Sequence, residues 1–252
     1  TLGGTLALQL AGLPSPDGTR AAAATQNAQA RIALDGRLDA RSALPVQISA
    51  QASAERSGAT WRIDLRELLA RSGSARAQGT LQASRAADGA WQLRSGGELA
   101  GFDPVAWFPG AESGAWRLGP HRLGGRWHAD LQAGSGIAAQ PTALARLLAL
   151  RGEAGLDLRD SLVAGVPLQA RLALGGRTPG WSLDAELRSG DNRATLQGRL
   201  APRAEDDRWR ADLEAPTLAA LQPLARLHQA LAAALQGAPL AGSAAGQLQW
   251  QG

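Results

Sequence analysis

The sequence predicts a mostly β fold: one elongated antiparallel sheet built in repeats, with two short helices. Three observations carry it. Apolar and polar residues alternate with a period of two, segments recur at an offset of about 120 residues, and the apolar residues are mainly small or medium in size. Ala and Leu outnumber every other residue type, against four Ile and four Val. A closed globular core would usually hold more Ile, Val and Phe. The composition therefore favours an apolar face that forms a groove rather than a packed interior.

The elements follow in chain order. Leu2–Leu10 opens the first repeat. Val46, Ile48, Ala50 and Ala52 point one way, and Gln47, Ser49, Gln51 and Ser53 the other. Trp61, Ile63 and Leu65 alternate with Arg62, Asp64 and Arg66. After a turn-like Ala87-Asp88-Gly89, Trp91 starts another segment. Pro141–Arg151 carries Leu144, Leu147, Leu148 and Arg151 at helical spacing, which predicts a short helix. Alternation resumes at Val166, Leu168, Ala170, Leu172 and Leu174. It continues at Trp181, Leu183, Ala185 and Leu187, then at Trp209, Ala211 and Leu213. The turn-like clusters between them are Gly175–Gly180, Ser189–Asn192 and Ala204–Asp207. Pro223–Gln236 predicts the second helix, with Leu224, Leu227, Leu231 and Leu235 on one face and Gly237 as a C-terminal cap.

Leu2-Gly3-Gly4 matches Leu123-Gly124-Gly125, Trp61-Arg62-Ile63-Asp64 matches Trp181-Ser182-Leu183-Asp184, and Gln78-Gly79 matches Gln197-Gly198. Residues 1–122 and 123–243 read as two units of one continuous β-groove, and 244–252 as the start of a third. Units that stack only on their neighbours grow in one dimension. The sequence has no initiator Met and stops at Trp250-Gln251-Gly252, which reads as a piece of something longer.

Several chemistries are excluded. Cys, Met and Tyr are absent, so there is no disulfide framework or thiolate site, and with no Lys there is no P-loop or Schiff base. The three His, at positions 121, 128 and 228, lack metal-site spacing. Glu205-Asp206-Asp207 falls in a turn, and Ser135 lies between two glycines without a nearby His–Asp pair. No catalytic residue, metal site or cofactor is expected. Net charge is only +4, with Arg and acidic residues interspersed, so nucleic acid is not an expected partner. The longest apolar run, Ala230–Leu235, is far too short to span a bilayer.

The stretch Trp91-Gln92-Leu93-Arg94, then Leu99 to Gly110 with its Phe102-Asp103-Pro104 and Trp107-Phe108-Pro109, then Leu123-Gly124-Gly125-Arg126-Trp127, resembles the repeating units of the TamB family. These are the inner-membrane subunits of bacterial translocation and assembly modules, within the wider AsmA-like group. The second unit departs from this pattern, with Leu221-Gln222-Pro223 in place of the aromatic Asp-Pro segment. The resemblance implies a sheet curled into a taco-like groove that crosses the periplasm. The parent protein would be held in the inner membrane by an anchor outside these residues. It implies conduction of phospholipids to the outer membrane and support of outer-membrane protein assembly with an Omp85-type, TamA-like partner bound elsewhere on the full protein.

The expected partners are therefore phospholipid acyl chains, in a non-enzymatic protein. The residues expected to line the groove are Ile32, Leu34, Val46, Ile48, Ile63, Leu65, Val166, Leu168, Leu172, Leu183 and Leu187. Two other readings share the alternation: a structural or adhesive β-solenoid with a closed core, and a chaperone-like groove that pairs edge strands with unfolded proteins. An outer-membrane barrel also alternates, but its aromatic girdles are at odds with zero Tyr and two Phe.

Overall fold

Side chains that alternate in polarity can satisfy one wet and one dry face only on an extended backbone, and the chain obeys this over most of its length. The structure, a computed structural model, describes residues 2–11 (backbone only), 25–37, 45–107, 117, 119–140, 142–177, 180–235 and 238–252. Phe108–Gly110, Pro141, Thr178, Pro179, Gln236 and Gly237 lie outside the described residues.

Thirteen strands form one antiparallel sheet in strict sequence order. They are β1 (Leu2–Ala11), β2 (Gln26–Arg37), β3 (Pro45–Ser57), β4 (Thr60–Ser72), β5 (Ala75–Arg85), β6 (Trp91–Phe102), β7 (Leu123–Ala133), β8 (Leu150–Val163), β9 (Val166–Gly176), β10 (Trp181–Ser189), β11 (Asn192–Leu200), β12 (Arg208–Ala215) and β13 (Ala244–Gln251). The first, seventh and thirteenth strands open at Leu2, Leu123 and Ala244.

The helices are short: α1 (Pro104–Trp107), α2 (Ala143–Ala149), α3 (Gln222–Ala225) and α4 (Gln229–Leu235). α2 stands where the first helix is expected, but it ends at Ala149, and Arg151 belongs to β8. Thr142 caps α2, its hydroxyl accepting from the Ala145 N–H at 3.1 Å. The second expected helix is split into α3 and α4. Among the described residues no helix is long and apolar enough to cross a membrane.

All connections are between sequence neighbours, so turns gather at two sheet ends. One end holds the β2–β3, β4–β5, β6–β7, β8–β9, β10–β11 and β12–β13 connections, and burial is densest there. Val46 is 1% exposed, and Ala75, Val166, Leu168, Asn192 and Ala215 are also buried. The β8–β9 turn shows how tightly this end is built. Ala164 and Gly165 both have positive φ (50° and 78°), as a two-residue primed turn requires. The Ala164 N–H donates to Nδ1 of the buried His121 at 3.2 Å. At the opposite end, the Trp181 indole N–H donates to the Leu147 carbonyl of α2 at 2.6 Å, and the Ala201 N–H to the Asp207 carboxylate at 2.6 Å.

Three strands bulge toward the first end. Register shifts at Leu65/Leu68, Leu99/Phe102 and Leu158/Ser161 each enclose a residue with φ near +55°: Glu67, Gly101 and Asp160. Bulges bend a strand and raise its twist.

Cross-strand Trp–Gly pairs are the recurring packing device. Trp127 faces Gly97, Trp181 faces Gly176 and Trp209 faces Gly198. A Cβ on Gly97 would sit 2.2 Å from the Trp127 ring, and one on Gly198 would sit 2.0 Å from the Trp209 ring. The indoles lie flat across their neighbours because glycine leaves the room. Gly97→Ala is expected to destabilise the sheet by about 1–3 kcal/mol, as overpacking does. Gly246→Ala, where nothing lies within 4 Å of the added carbon, should leave stability unchanged or slightly raised. Urea unfolding of both variants checks the contrast.

Candidate functional site

The in-phase register of the strands carries most of the apolar positions to one face, with exceptions such as Leu69, which stands across from Ser49 and Gln78. One cross-strand row runs Leu34, Ile48, Ala70, Ala77, Leu99, Gly125, Leu158, Ala170, Leu187, Ala194, Leu213 and Gly246, from β2 to β13 without a polar residue. A parallel row runs Gly97, Trp127, Leu156, Leu172, Ala185, Leu196, Ala211 and Leu248. Large and small residues alternate from β8 along the first row and from β9 along the second. A Leu therefore has an Ala or Gly beside it on most strands, and the face is furrowed rather than flat.

Among the described residues no second sheet covers this face. Its middle stays open: Ile63 is 38% exposed, Leu196 37% and Leu213 39%. Between β8 and β13 the face forms an apolar concavity of about 690 Å³, lined by Leu156, Leu172, Leu187, Leu196, Leu213 and Leu248, with Ala170, Ala185, Ala194 and Ala211 at its floor. Such a surface can hold an apolar chain by removing it from water, at about 25 cal/mol per Å². Its Leu and Ala side chains carry no acid–base or nucleophilic group. The polar cross-strand row of Arg171, Glu186, Thr195, Asp212 and Gln247 runs between the two apolar rows and also borders it. Among the described residues no cluster of three His, Asp or Glu could hold a metal.

Every residue expected to line the groove lies on this face, but not equivalently. Ile32, Leu34, Ile48, Leu65, Leu172 and Leu183 are half-buried, and Ile63 and Leu187 are exposed. Val46, Val166 and Leu168 are buried at the turn-dense end, where neighbouring residues already fill the space beside them. The largest omissions are on β8, β11 and β13: Leu156, Leu196 and Leu248. The alternation of Ala194 and Leu196 was available in the sequence. Leu156 was masked by the helical pattern just before it.

The opposite face is polar and carries ion pairs within and between strands. Arg62–Asp64 (2.9 Å), Arg188–Glu186 (2.7 Å) and Arg210–Asp212 (2.9 Å) pair two residues apart on one strand. Arg94–Asp130 (2.9 Å), Arg126–Glu98 (2.9 Å) and Arg193–Glu186 (2.8 Å) pair across strands. Exposed pairs of this kind are individually weak. Their collective effect is to leave no concentrated basic patch on the strands they link.

Three carboxyls are held below their ordinary values by these partners: Asp157 by hydrogen bonding to Arg159, Glu186 by Arg188 and then Arg193, and Asp212 by Arg210 and then Gln247.

No family model, curated protein or solved structure matches this chain.

Carboxyls with depressed folded values stabilise the fold when ionised. That contribution is complete above the ordinary values of 3.8 for Asp and 4.5 for Glu, and is lost as pH falls through the lower folded values. The melting temperature should be level from neutral pH down to about 5 and then decline, with the decline blunted by salt. Thermal melts from neutral to acid pH, at low and high salt, check this.

Proposed function

We propose that this chain is a segment of a hydrophobic groove that binds phospholipid acyl chains and passes them along its length, without catalysis. The observation that carries the reading is the pair of unbroken apolar rows lying open along the middle of the sheet. A protein that needed this face only for stability would cover it, because exposed apolar area on this scale is a liability in water. An acyl chain fits such a track: each methylene withdrawn from water contributes about 0.8 kcal/mol, and the furrows between Leu rows run without a polar interruption.

The bulges at Glu67, Gly101 and Asp160 support curling of the sheet about this face, since each bends its strand near the same end. The resemblance to TamB-type units points the same way. On that reading the chain belongs to a periplasmic bridge from inner to outer membrane, with its membrane anchor and its Omp85-type partner contacts elsewhere in the full protein. The polar face, with basic and acidic side chains interspersed, suits a surface that meets water.

Purification without detergent, followed by native mass spectrometry and lipid extraction, tests the reading. Phospholipid should copurify with the wild-type chain. Leu172→Asp with Leu196→Asp should lower its content about tenfold, equivalent to about 1.4 kcal/mol of lost affinity. Both sites are half-open in the absence of ligand, so far-ultraviolet circular dichroism should stay unchanged. Lipid content that is unaffected by the double substitution, or no lipid at all in the wild type, would sink the proposal.

A further inference from the structure

One row on the dry face breaks its apolar character. Leaving aside the bulged Glu67 and Asp160, only two charged residues of β2 to β13 share a face with the apolar rows, Arg56 and Arg85. Both stand in one cross-strand row, at the sheet end opposite the turn-dense one: Gln26, Arg56, Trp61, Arg85, Trp91 and Ala133. The next row inward, Ala54, Ile63, Ala83 and Leu93, is wholly apolar. Within two residues, about 7 Å of strand, the face passes from aliphatic side chains to indoles and guanidiniums.

The row is built around two indoles. Trp61 and Trp91 stand on β4 and β6, yet their rings meet edge to face at 4.5 Å although β5 lies between the two strands. The Arg85 guanidinium lies 5.9 Å from the centre of the Trp91 ring. Arg56 donates from Nε to the Gly58 carbonyl at 3.3 Å. Both Arg residues are exposed, and among the described residues neither forms an ion pair, whereas Arg62, Arg94 and Arg126 of the wet face do. The strand architecture does not call for these cations. Trp181, the counterpart of Trp61 in the second unit, has Gly176 and Leu200 across from it and is buried.

Arg56 and Arg85 flank Trp61 on strands two apart, so their backbones stand about 9–10 Å from each other and two long side chains can meet on one anion. A guanidinium presents its donors as a fork that matches phosphate oxygens. An indole suits the boundary between an apolar surface and water. The order aliphatic, indole, guanidinium is therefore the order of an amphiphile with a phosphate ester at its polar end. No carboxylate stands in the row to receive the ammonium of a zwitterionic headgroup. We propose that Arg56 and Arg85 bind the phosphate of an anionic phospholipid whose acyl chains lie on the apolar rows, and so make this stretch of the groove selective for headgroups of net negative charge. The inference rests on the acyl-chain reading given above.

The test is lipid exchange. The chain is incubated with vesicles of equal phosphatidylglycerol and phosphatidylcholine, re-isolated without detergent, and its lipid counted by native mass spectrometry. The wild type should hold phosphatidylglycerol over phosphatidylcholine by about tenfold. Arg56→Gln with Arg85→Gln should bring that ratio to about one while total bound lipid stays within about twofold, since the acyl chains keep their track. Arg31→Gln with Arg66→Gln, the same change of charge among exposed residues of the wet face, should leave the ratio as in the wild type. Excess glycerol phosphate, which has the phosphate ester and no acyl chain, should not displace the lipid. An even ratio in the wild type, a ratio that the Arg56 and Arg85 changes do not move, or an equal shift from the wet-face pair would overturn the headgroup site and leave the acyl groove standing. Displacement by glycerol phosphate would make the row a site for free phosphate esters and likewise end the proposal. A chain that takes up neither lipid would end both readings together.

Discussion

The structure depends on phase. Twelve successive antiparallel pairings keep most of the apolar strand positions in register on one face, and a single uncompensated slip would send the later ones to the wet side. The register shifts in β4, β6 and β8 do not break this. Each encloses a residue pair, so Leu68, Phe102 and Ser161 resume in phase with Leu65, Leu99 and Leu158 on the partner strand's terms. Phase is what turns scattered Leu, Ala and Gly into continuous rows, and those rows are the basis of the functional reading.

Alternation made the strand regions legible, because period-two patterning has one physical meaning when polar and apolar residues are this cleanly sorted. It exposed β3, β4, β9, β10 and β12 directly. The start of β8 was not legible: Leu144, Leu147 and Leu148 have helical spacing, and the strand begins at Leu150, directly after α2. The bulges were also invisible. Glu67 and Asp160 carry positive φ on ordinary acidic residues, so no glycine marks the bend. The Trp–Gly pairs could not be read from one segment, since the partners lie on different strands and only the pairing joins them. Exposure was the least legible property. Val46 and Ile48 look alike in sequence, but one lies under the turn-dense end and the other on the half-open face.

The two faces solve different problems with few residue types. On the wet face, a number of Arg side chains pair with Asp or Glu two residues away on one strand or on the adjacent strand, so basic and acidic groups are interspersed rather than gathered. On the dry face, indoles fill what glycine leaves and Ala separates the leucines. Large β-branched residues, which would level the furrows, are rare. The burial that stabilises the sheet is concentrated where turns, short helices and His121 close its ends, and the middle of the dry face stays open.

Among the described residues every strand pairs only with its neighbours in sequence, so no strand is inserted between two others. The sheet's length can therefore change by gain or loss of whole hairpins, with no other connection rerouted. The increment must be two strands. Removing one would reverse the direction of all that follow and carry each turn to the opposite end, whereas removing two leaves direction, face and end as they were. Reach, in such a protein, is a number counted in hairpins and adjustable by duplication alone.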